Sequence, residues 1–194
     1  MKRLIVPTLV AGIALLSGCI PCLHAIYTDK DLIFDSALLG VWDDAHDTRW
    51  EFTKIDATTY RLIMVEKERQ GIFDARLVKL DGVLFLDMFP VEPDWPKKTN
   101  SDFYQNLWVP VHTFFVVDSI TPKLRIRWMN DEWLKNYVKA HPDALQCDVS
   151  YRGTTDNRLL VTASTKELQA FLLKHRNEEG AYSETRELSL KERR

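Results

Sequence analysis

The feature that most constrains the fold of this chain is an alternation of apolar and polar side chains with a period of two residues. In residues 49–53, Trp50 and Phe52 are apolar and their neighbours are polar, and residues 123–128 repeat the pattern. Successive side chains of a β-strand point to opposite faces of its sheet, so this alternation is typical of strands with one buried face. The sequence therefore predicts a mainly β, antiparallel protein.

Further segments of strand character bring the total to about eight strands; they are residues 59–66, 72–80, 83–89, 111–119, 146–151 and 158–162. Asp81 and Gly82 separate two of these segments and are typical of a type I′ hairpin turn, which needs positive φ at both positions. A run of hairpins of this length is compatible with two architectures. One is a closed antiparallel barrel, and the other is a strongly curled sheet packed against helices.

Two segments have helical periodicity instead. Asp131 is predicted to cap the first helix, which ends before Pro142, and Ser164 with Glu167 forms a capping box for the second. Their apolar stripes are Trp133, Leu134, Tyr137 and Val138 in the first helix, and Leu168, Phe171 and Leu172 in the second. We expect one helix inserted in the series of strands and one C-terminal helix.

The first residues of the chain predict an export signal. Lys2 and Arg3 precede an uncharged apolar run over residues 4–16. That run is shorter than the ~20 residues that a helix needs to cross a bilayer, so it predicts a cleaved signal peptide and not an anchor.

Leu16, Ser17, Gly18 and Cys19 end this signal and resemble the lipobox of bacterial lipoproteins. The resemblance implies cleavage before Cys19 and acylation of its thiol and its new amino group. Several acyl chains hold a protein on a membrane far more firmly than a single chain does. In the enterobacterial members of this group an Asp after the cysteine favours the inner membrane, and Ile20 stands here. The resemblance thus implies lipid attachment at Cys19 on the periplasmic face of the outer membrane.

The sequence divides into four parts: a signal peptide in residues 1–18, a tether in 19–35, a single β-rich domain in 36–176, and a charged, disordered tail in 177–194. The whole chain holds 26 basic and 28 acidic side chains. Cleavage removes two basic residues and leaves 24 against 28, a net charge of −4. Because there is no basic excess, nucleic acid is not an expected partner, and attraction to anionic lipids is weak.

Cys22 and Cys147 are the two cysteines left after lipidation. Pairing is permitted in an oxidising compartment, and a disulfide between them would join the tether to the folded domain. The alternative is a mobile Cys22 beside the membrane and a buried, inert Cys147. The sequence leaves both alternatives open.

The order of elements resembles that of lipocalins. A short helical turn precedes Gly40 and Trp42, about eight antiparallel strands follow, and a helix comes after them. The resemblance implies a barrel whose closed end is plugged by Trp42, with Arg158 of the last strand packed across it, and a site for a small apolar ligand. Residues 85–90 and 110–114 are also similar to segments of uncharacterised bacterial lipoproteins, which implies no activity.

The longest segment without regular periodicity runs over residues 90–110 and contains four aromatic residues, namely Trp95, Phe103, Tyr104 and Trp108. Loops of this length within a compact domain are usually functional or disordered. Three interpretations stay open: a cover over the barrel mouth with Trp95 and Trp108 at a ligand, an aromatic docking surface, or a segment packed outside the sheet.

Asp87 interrupts an apolar strand, and His112 follows the long loop at the start of the next strand. If these strands pair antiparallel, both side chains lie at the same end of the sheet and can hydrogen-bond to each other. Such a pair is a ligand-orienting group or a structural hydrogen bond, or else both groups face water.

Four potential metal ligands crowd the loop after Trp42, namely Asp43, Asp44, His46 and Asp47. The spacing and closing Glu of an EF-hand are missing, so an exposed acidic turn is the preferred interpretation and no metal is predicted. The sequence contains no nucleophile elbow, no phosphate-binding loop and no zinc-protease motif, and it predicts no cofactor.

These observations favour a monomeric, membrane-anchored lipoprotein that binds a small apolar or amphipathic ligand. The alternative is an envelope structural or protein-interaction lipoprotein whose barrel is solid. A periplasmic hydrolase ranks third, because catalytic groups can assemble from distant positions without any local motif.

Overall fold

The computed structural model describes residues 20–44, 48–92, 109–152 and 156–193, which form eleven strands and two α-helices in these ranges. The elements in chain order are β1 (Leu32–Ile33), β2 (Gly40–Asp43), β3 (Thr48–Lys54), β4 (Tyr60–Glu66), β5 (Arg69–Leu80), β6 (Val83–Pro90), β7 (Thr113–Ser119), β8 (Lys123–Arg127), α1 (Asp131–Ala140), β9 (Cys147–Arg152), β10 (Asp156–Val161), α2 (Thr165–Lys174) and β11 (Arg186–Glu192).

Eight strands close into an antiparallel barrel. β2 to β8 follow one another around it, β11 pairs with both β8 and β2, and the pairing of β5 with β6 completes the ring. The remaining short strand, β1, pairs with the second half of β5. The prediction of a mainly β, lipocalin-like antiparallel barrel with two helices is confirmed, with the closed barrel as the alternative that forms.

The membership of the barrel differs from the sequence prediction. β9 and β10 pair only with each other in a separate two-stranded sheet, and β2 and β11 take their places in the ring. The interpretation of residues 177–194 as a disordered tail was therefore wrong. Leu188 of β11 is fully buried in the barrel interior, and Leu190 packs against the same core. Their period-two spacing was the available signal, but the charged residues around them concealed it.

Local turn and cap chemistry follows the sequence closely. Asp81 and Gly82 both have positive φ, as the predicted hairpin between β5 and β6 requires. Ser164 and Glu167 form the predicted capping box of α2. At α1 the cap is Asn130 and not Asp131, because the Asn130 side chain accepts hydrogen bonds from the backbone N–H groups of Glu132 and Trp133. Neither helix in the described ranges is long and apolar enough to span a membrane.

The apolar side chains form two separate cores. The barrel core fills the interior and includes Trp42, Trp50, Phe52, Tyr60, Leu62, Leu77, Leu86, Phe115, Leu124 and Leu188. The outer core lies between the outside of β5–β7 and a layer made of the N-terminal segment, both helices, and the β9–β10 pair. Strands β6 and β7 are therefore buried on both faces along most of their length, whereas β3 and β8 have a wet outer face.

The N-terminal segment is part of this outer core and not a free tether, so that prediction was wrong for residues 20–35. Ile20, Cys22 and Ile26 are buried. The backbone of Cys22 exchanges two 2.8 Å hydrogen bonds with His112, and Leu23 N donates to Val161 O at 2.8 Å. Apolar side chains and paired backbone groups explain the burial, since both lower the free energy of a packed segment.

Candidate functional site at the open end of the barrel

One end of the barrel is closed by the chain that leads into it. We call the closed end the one at which β2 begins and β3 ends. A short 3-10 helix, Ser36–Leu38, covers it, with Leu38 fully buried. Trp42 is also fully buried, and its Nε1 donates to the Leu38 carbonyl oxygen at 2.8 Å.

The Gly40-x-Trp42 pair that suggested a lipocalin has a clear structural reason. Gly40 has a φ of 131°, and a Cβ atom there would clash with the carbonyl oxygen of Glu192 on β11. Glycine thus allows the closest approach between the first and last barrel strands. Arg158 does not belong to the last barrel strand, as the resemblance implied, because it lies on β10 outside the barrel. β11 occupies that position.

The barrel interior is filled as far as the level of Trp50. Trp50 of β3 and Phe115 of β7 lie on opposite sides of the ring, yet their ring centroids are 5.4 Å apart. These two side chains form a floor across the barrel. Trp50 is almost fully buried, and its Nε1 has no hydrogen-bond partner among the described residues.

The opposite end is the mouth, at which β5 begins, β6 ends and the chain enters β7. A cleft of about 570 Å³ lies there. Its lining is mostly apolar and comprises Gln70, Gly71, Ile72, Phe73, Pro90, Val91, Glu92, Val109, Pro110 and Val111. Volumes of this size accommodate small organic ligands. Gly71 and Phe73 belong to the inward-facing set of β5, so the cleft lies at the rim of the barrel beside them.

A buried polar atom without a hydrogen-bond partner lies on β7 near the mouth. Thr113 shares the inward face of β7 with Phe115, and its buried Oγ1 has no hydrogen-bond partner in the described part of the chain. Buried polar atoms in folded proteins are nearly always paired. An unpaired hydroxyl two residues from the lining residue Val111 is a group that can bind the polar end of a ligand.

The sequence did not single out these mouth residues. The alternation of β5 and β7 identifies inward-facing positions, but it does not say at which level the barrel interior stops being filled. Only the cross-barrel contact of Trp50 with Phe115 sets that level.

Asp87 and His112 are brought together as the strand pairing predicted. His112 Nδ1 lies 2.7 Å from Asp87 Oδ1, and Asp87 is 1% exposed. The second carboxylate oxygen accepts a hydrogen bond from Ile26 N at 3.2 Å. Both side chains are on the outer side of the barrel wall, since Asp87 lies between the inward-facing Leu86 and Met88. The pair therefore fastens the N-terminal segment to β6 and β7 through groups that satisfy each other.

The cysteines do not form the disulfide that the sequence left open. Cys22 and Cys147 are both free thiols. Val161 separates them, because it bridges Cys22 on one side and faces Cys147 on the other. Two strand spacings amount to roughly 10 Å, whereas bridged cysteines have Cα atoms less than about 7 Å apart.

Both thiols are also expected to be unreactive at neutral pH. Burial raises the pKa of Cys22 well above its usual range, and the charge of Asp87 adds to that effect. Burial likewise raises the pKa of Cys147 to about 11. Both groups are therefore protonated at neutral pH, and a protonated thiol is a poor nucleophile.

The acidic loop after β2 is used in ion pairs. Asp43 pairs with Arg49 at 3.0 Å, and Asp44 pairs with Arg186 of β11. His46 and Asp47 lie outside the described residues. Within the ranges that the structure describes, no group of three or more potential ligands could hold a metal ion.

Trp95, Phe103, Tyr104 and Trp108 of the long loop, and Cys19 with the rest of the lipobox, also lie outside the described residues. Comparison with protein-family models, with curated proteins and with solved structures finds no significant match. The resemblance to lipocalins therefore rests on the order of elements and on the Gly40-x-Trp42 motif.

Proposed function

We propose that this protein is a lipid-anchored protein of the bacterial outer membrane whose barrel binds a small apolar or amphipathic ligand at its mouth. The observation that carries the proposal is the apolar cleft of about 570 Å³ at that end. The lipobox residues that end at Cys19 support the anchor and the periplasmic location.

The lining limits the chemistry of the ligand. Ile72, Phe73 and Val109 contribute apolar surface, whose burial by a ligand favours binding. Thr113 Oγ1 is an unpaired hydrogen-bonding group two positions along the chain from the lining residue Val111, and Glu92 is the one charged side chain among the lining residues. An apolar ligand with a single hydrogen-bonding head group fits this arrangement better than a multiply charged one.

The filled interior limits how deep such a ligand reaches. Trp50 and Phe115 close the barrel below the mouth, and the core beneath them is buried down to Trp42. The ligand therefore sits in the mouth and does not run the length of the barrel.

The test uses the mature chain, residues 19–194, made without acyl groups and purified without detergent, because every described contact lies within it. Binding of dansyl-labelled undecanoic acid is followed by fluorescence. Val109→Asp places a charge in the apolar lining at an exposed position and is expected to weaken binding at least tenfold. Ile55→Asp makes the same change at the closed end, where Ile55 is exposed, and is expected to leave binding unchanged.

Saturable binding that Val109→Asp weakens and Ile55→Asp does not supports the proposal. No saturable binding, or equal loss in both variants, contradicts it. The filled barrel core specifically favours the second candidate, an envelope structural or protein-interaction lipoprotein with a solid barrel. That function takes precedence if native mass spectrometry of the same sample finds no co-purifying small molecule.

A further inference from the structure

The first described residues pack against the folded domain directly after Cys19, the proposed site of lipid attachment. Ile20 is buried in the outer core, and Cys22 is fully buried. Hydrogen bonds of 2.8 Å tie the Cys22 backbone to His112, the residue just before β7 at the mouth. The segment therefore has no free spacer between residue 20 and the folded domain.

A second set of bonds fixes the other edge of this segment. Leu23 N donates to Val161 O at 2.8 Å, and Val161 N donates to Pro21 O at 2.9 Å. Residues 21–23 are thus held like a strand between the entrance of β7 and β10. Residue 19 is three positions from Cys22, and three residues span at most roughly 10 Å, so the chain between them is short.

Exposed apolar side chains gather at the same end of the barrel. Leu23 is 41% exposed and Val109 is 66% exposed, and Ile72 lies with Val109 in the lining of the cleft. Single exposed apolar residues are ordinary, but these share one end of the barrel with the start of the mature chain. Ile55, which is 45% exposed, lies at the closed end, one β3 length of roughly 20 Å away.

We propose that the barrel mouth faces the membrane and that Leu23 and Val109 contact the lipid surface. This inference rests on the lipid attachment at Cys19 in the proposed function. The short connection keeps the mouth beside the bilayer, so a weak apolar contact suffices to orient the domain, since the tether supplies a high effective concentration. Interfacial groups of this kind enter about 5–10 Å into the boundary between headgroups and acyl chains.

A lipid surface fits better than a protein partner for two reasons. The anchor places lipid next to this end before any other molecule arrives, and the apolar patch can enter a lipid surface without the electrostatic attraction that a net charge of −4 on the mature chain does not supply. The orientation also gives the cleft a source of ligand. An acyl chain or another apolar membrane component reaches the mouth directly from the bilayer.

The test uses the full precursor, processed and acylated in a bacterial host, and reconstituted in phosphatidylcholine vesicles. Cys147→Ser removes the half-buried thiol, and Cys22 is buried, so a single surface cysteine takes the fluorophore. Leu23→Cys and Ile55→Cys form a matched pair of exposed aliphatic positions, and Val109→Cys is a second mouth position. Spin-labelled lipids then quench each label according to its depth.

We expect severalfold stronger quenching at Leu23 and Val109 than at Ile55. Inserting a long Gly-Ser spacer between Cys19 and Ile20 is expected to lower the quenching at both mouth positions towards the Ile55 value. Acylated protein in which the mouth labels are quenched no more than the Ile55 label overturns the inference, whatever the ligand titration shows.

Mass spectrometry of the N-terminal peptide distinguishes a wrong membrane orientation from a missing lipid anchor. An unmodified Cys19 overturns both the membrane orientation and the lipid-anchored part of the proposed function. The ligand titration on unacylated protein is independent of both results.

Discussion

The closed end and the mouth are built from the same alternating strands, but their polar groups differ in how completely they are hydrogen-bonded. At the closed end the Tyr60 hydroxyl accepts a hydrogen bond from Asp35 N at 2.7 Å and donates one to Asp35 O at 3.0 Å. Phe34 stacks on Tyr60 at 4.7 Å, and Arg193 donates to the Ala37 carbonyl oxygen. At the mouth, Arg186 donates hydrogen bonds to Asp44 and Thr48, but the Thr113 hydroxyl has no partner among the described residues.

This difference indicates which end serves stability and which is available for binding. A satisfied, buried end lowers the free energy of the folded chain, and changes there are costly. An end with exposed apolar side chains and an unpaired polar atom contributes less to folding and can contact a ligand. Substitutions at matched positions of the two ends test the contrast directly.

The largest effect is expected at the closed end. Trp42→Ala removes a fully buried side chain and its hydrogen bond to Leu38, and is expected to lower the free energy of unfolding by about 3–5 kcal/mol. Phe73→Ala at the mouth removes a half-buried ring and is expected to cost about 1–2 kcal/mol. Urea denaturation followed by fluorescence measures both values. Equal losses at the two ends would contradict the contrast.

Removing one hydroxyl at the closed end is expected to have the next largest effect. Tyr60→Phe keeps the stacking on Phe34 but leaves Asp35 N without its acceptor, at a cost of about 1–2 kcal/mol. The same urea titration detects it. No measurable loss would show that solvent replaces this hydrogen bond.

The same tyrosine predicts a dependence on alkaline pH. Burial raises the pKa of Tyr60 to about 12, above its ordinary value of 10. The folded state therefore favours the neutral phenol, and the stability that this provides is fully present below pH 10 and is lost as the pH rises towards 12. Burial raises the pKa of Tyr182 to about 12 as well. We expect the free energy of unfolding to fall between pH 10 and 12, and to fall less steeply in Tyr60→Phe. Identical slopes for the two proteins would refute this assignment.

The smallest effect on stability is expected at the mouth. Thr113→Val replaces an unpaired hydroxyl with a methyl group of similar shape, so the free energy of unfolding stays the same or rises by up to about 1 kcal/mol. Thr48→Val is the control, because Thr48 Oγ1 accepts a hydrogen bond from Arg186 at 2.7 Å and its loss is expected to destabilise the fold. If Thr113 contacts the ligand head group, Thr113→Val also weakens binding of the dansyl fatty acid.

Much of the fold could be predicted from local patterns. The alternation in β3 and β8, the Asp81–Gly82 turn and the capping box of α2 all depend on residues close in sequence, and each is present. Pairing between distant strands carries no comparable local signal. For this reason the strand content was predicted well, but β9 and β10 were assigned to the barrel and β11 to a disordered tail.

The candidate site was likewise predictable from the sequence only where it depends on local patterns. Adjacent strands made the Asp87–His112 pair predictable, and the two side chains do meet. Their position on the outer side of the barrel wall follows from the alternation of β6, but the hydrogen bond to Asp87 from Ile26 N, more than sixty positions away along the chain, had no local signal. The mouth cleft was not predictable, since its depth is set by a contact between opposite strands.

The sequence by itself determined where most of the strands and both helices lie, how the Asp81–Gly82 turn and the α2 cap are made, and that a lipobox-like motif ends at Cys19, because these properties depend on neighbouring residues. Only the tertiary structure decided that β11 closes the ring and that the supposed tether is packed against β7 and β10. Both outcomes depend on long-range pairing, in which buried apolar area and satisfied backbone groups offset the entropy of closing a long loop.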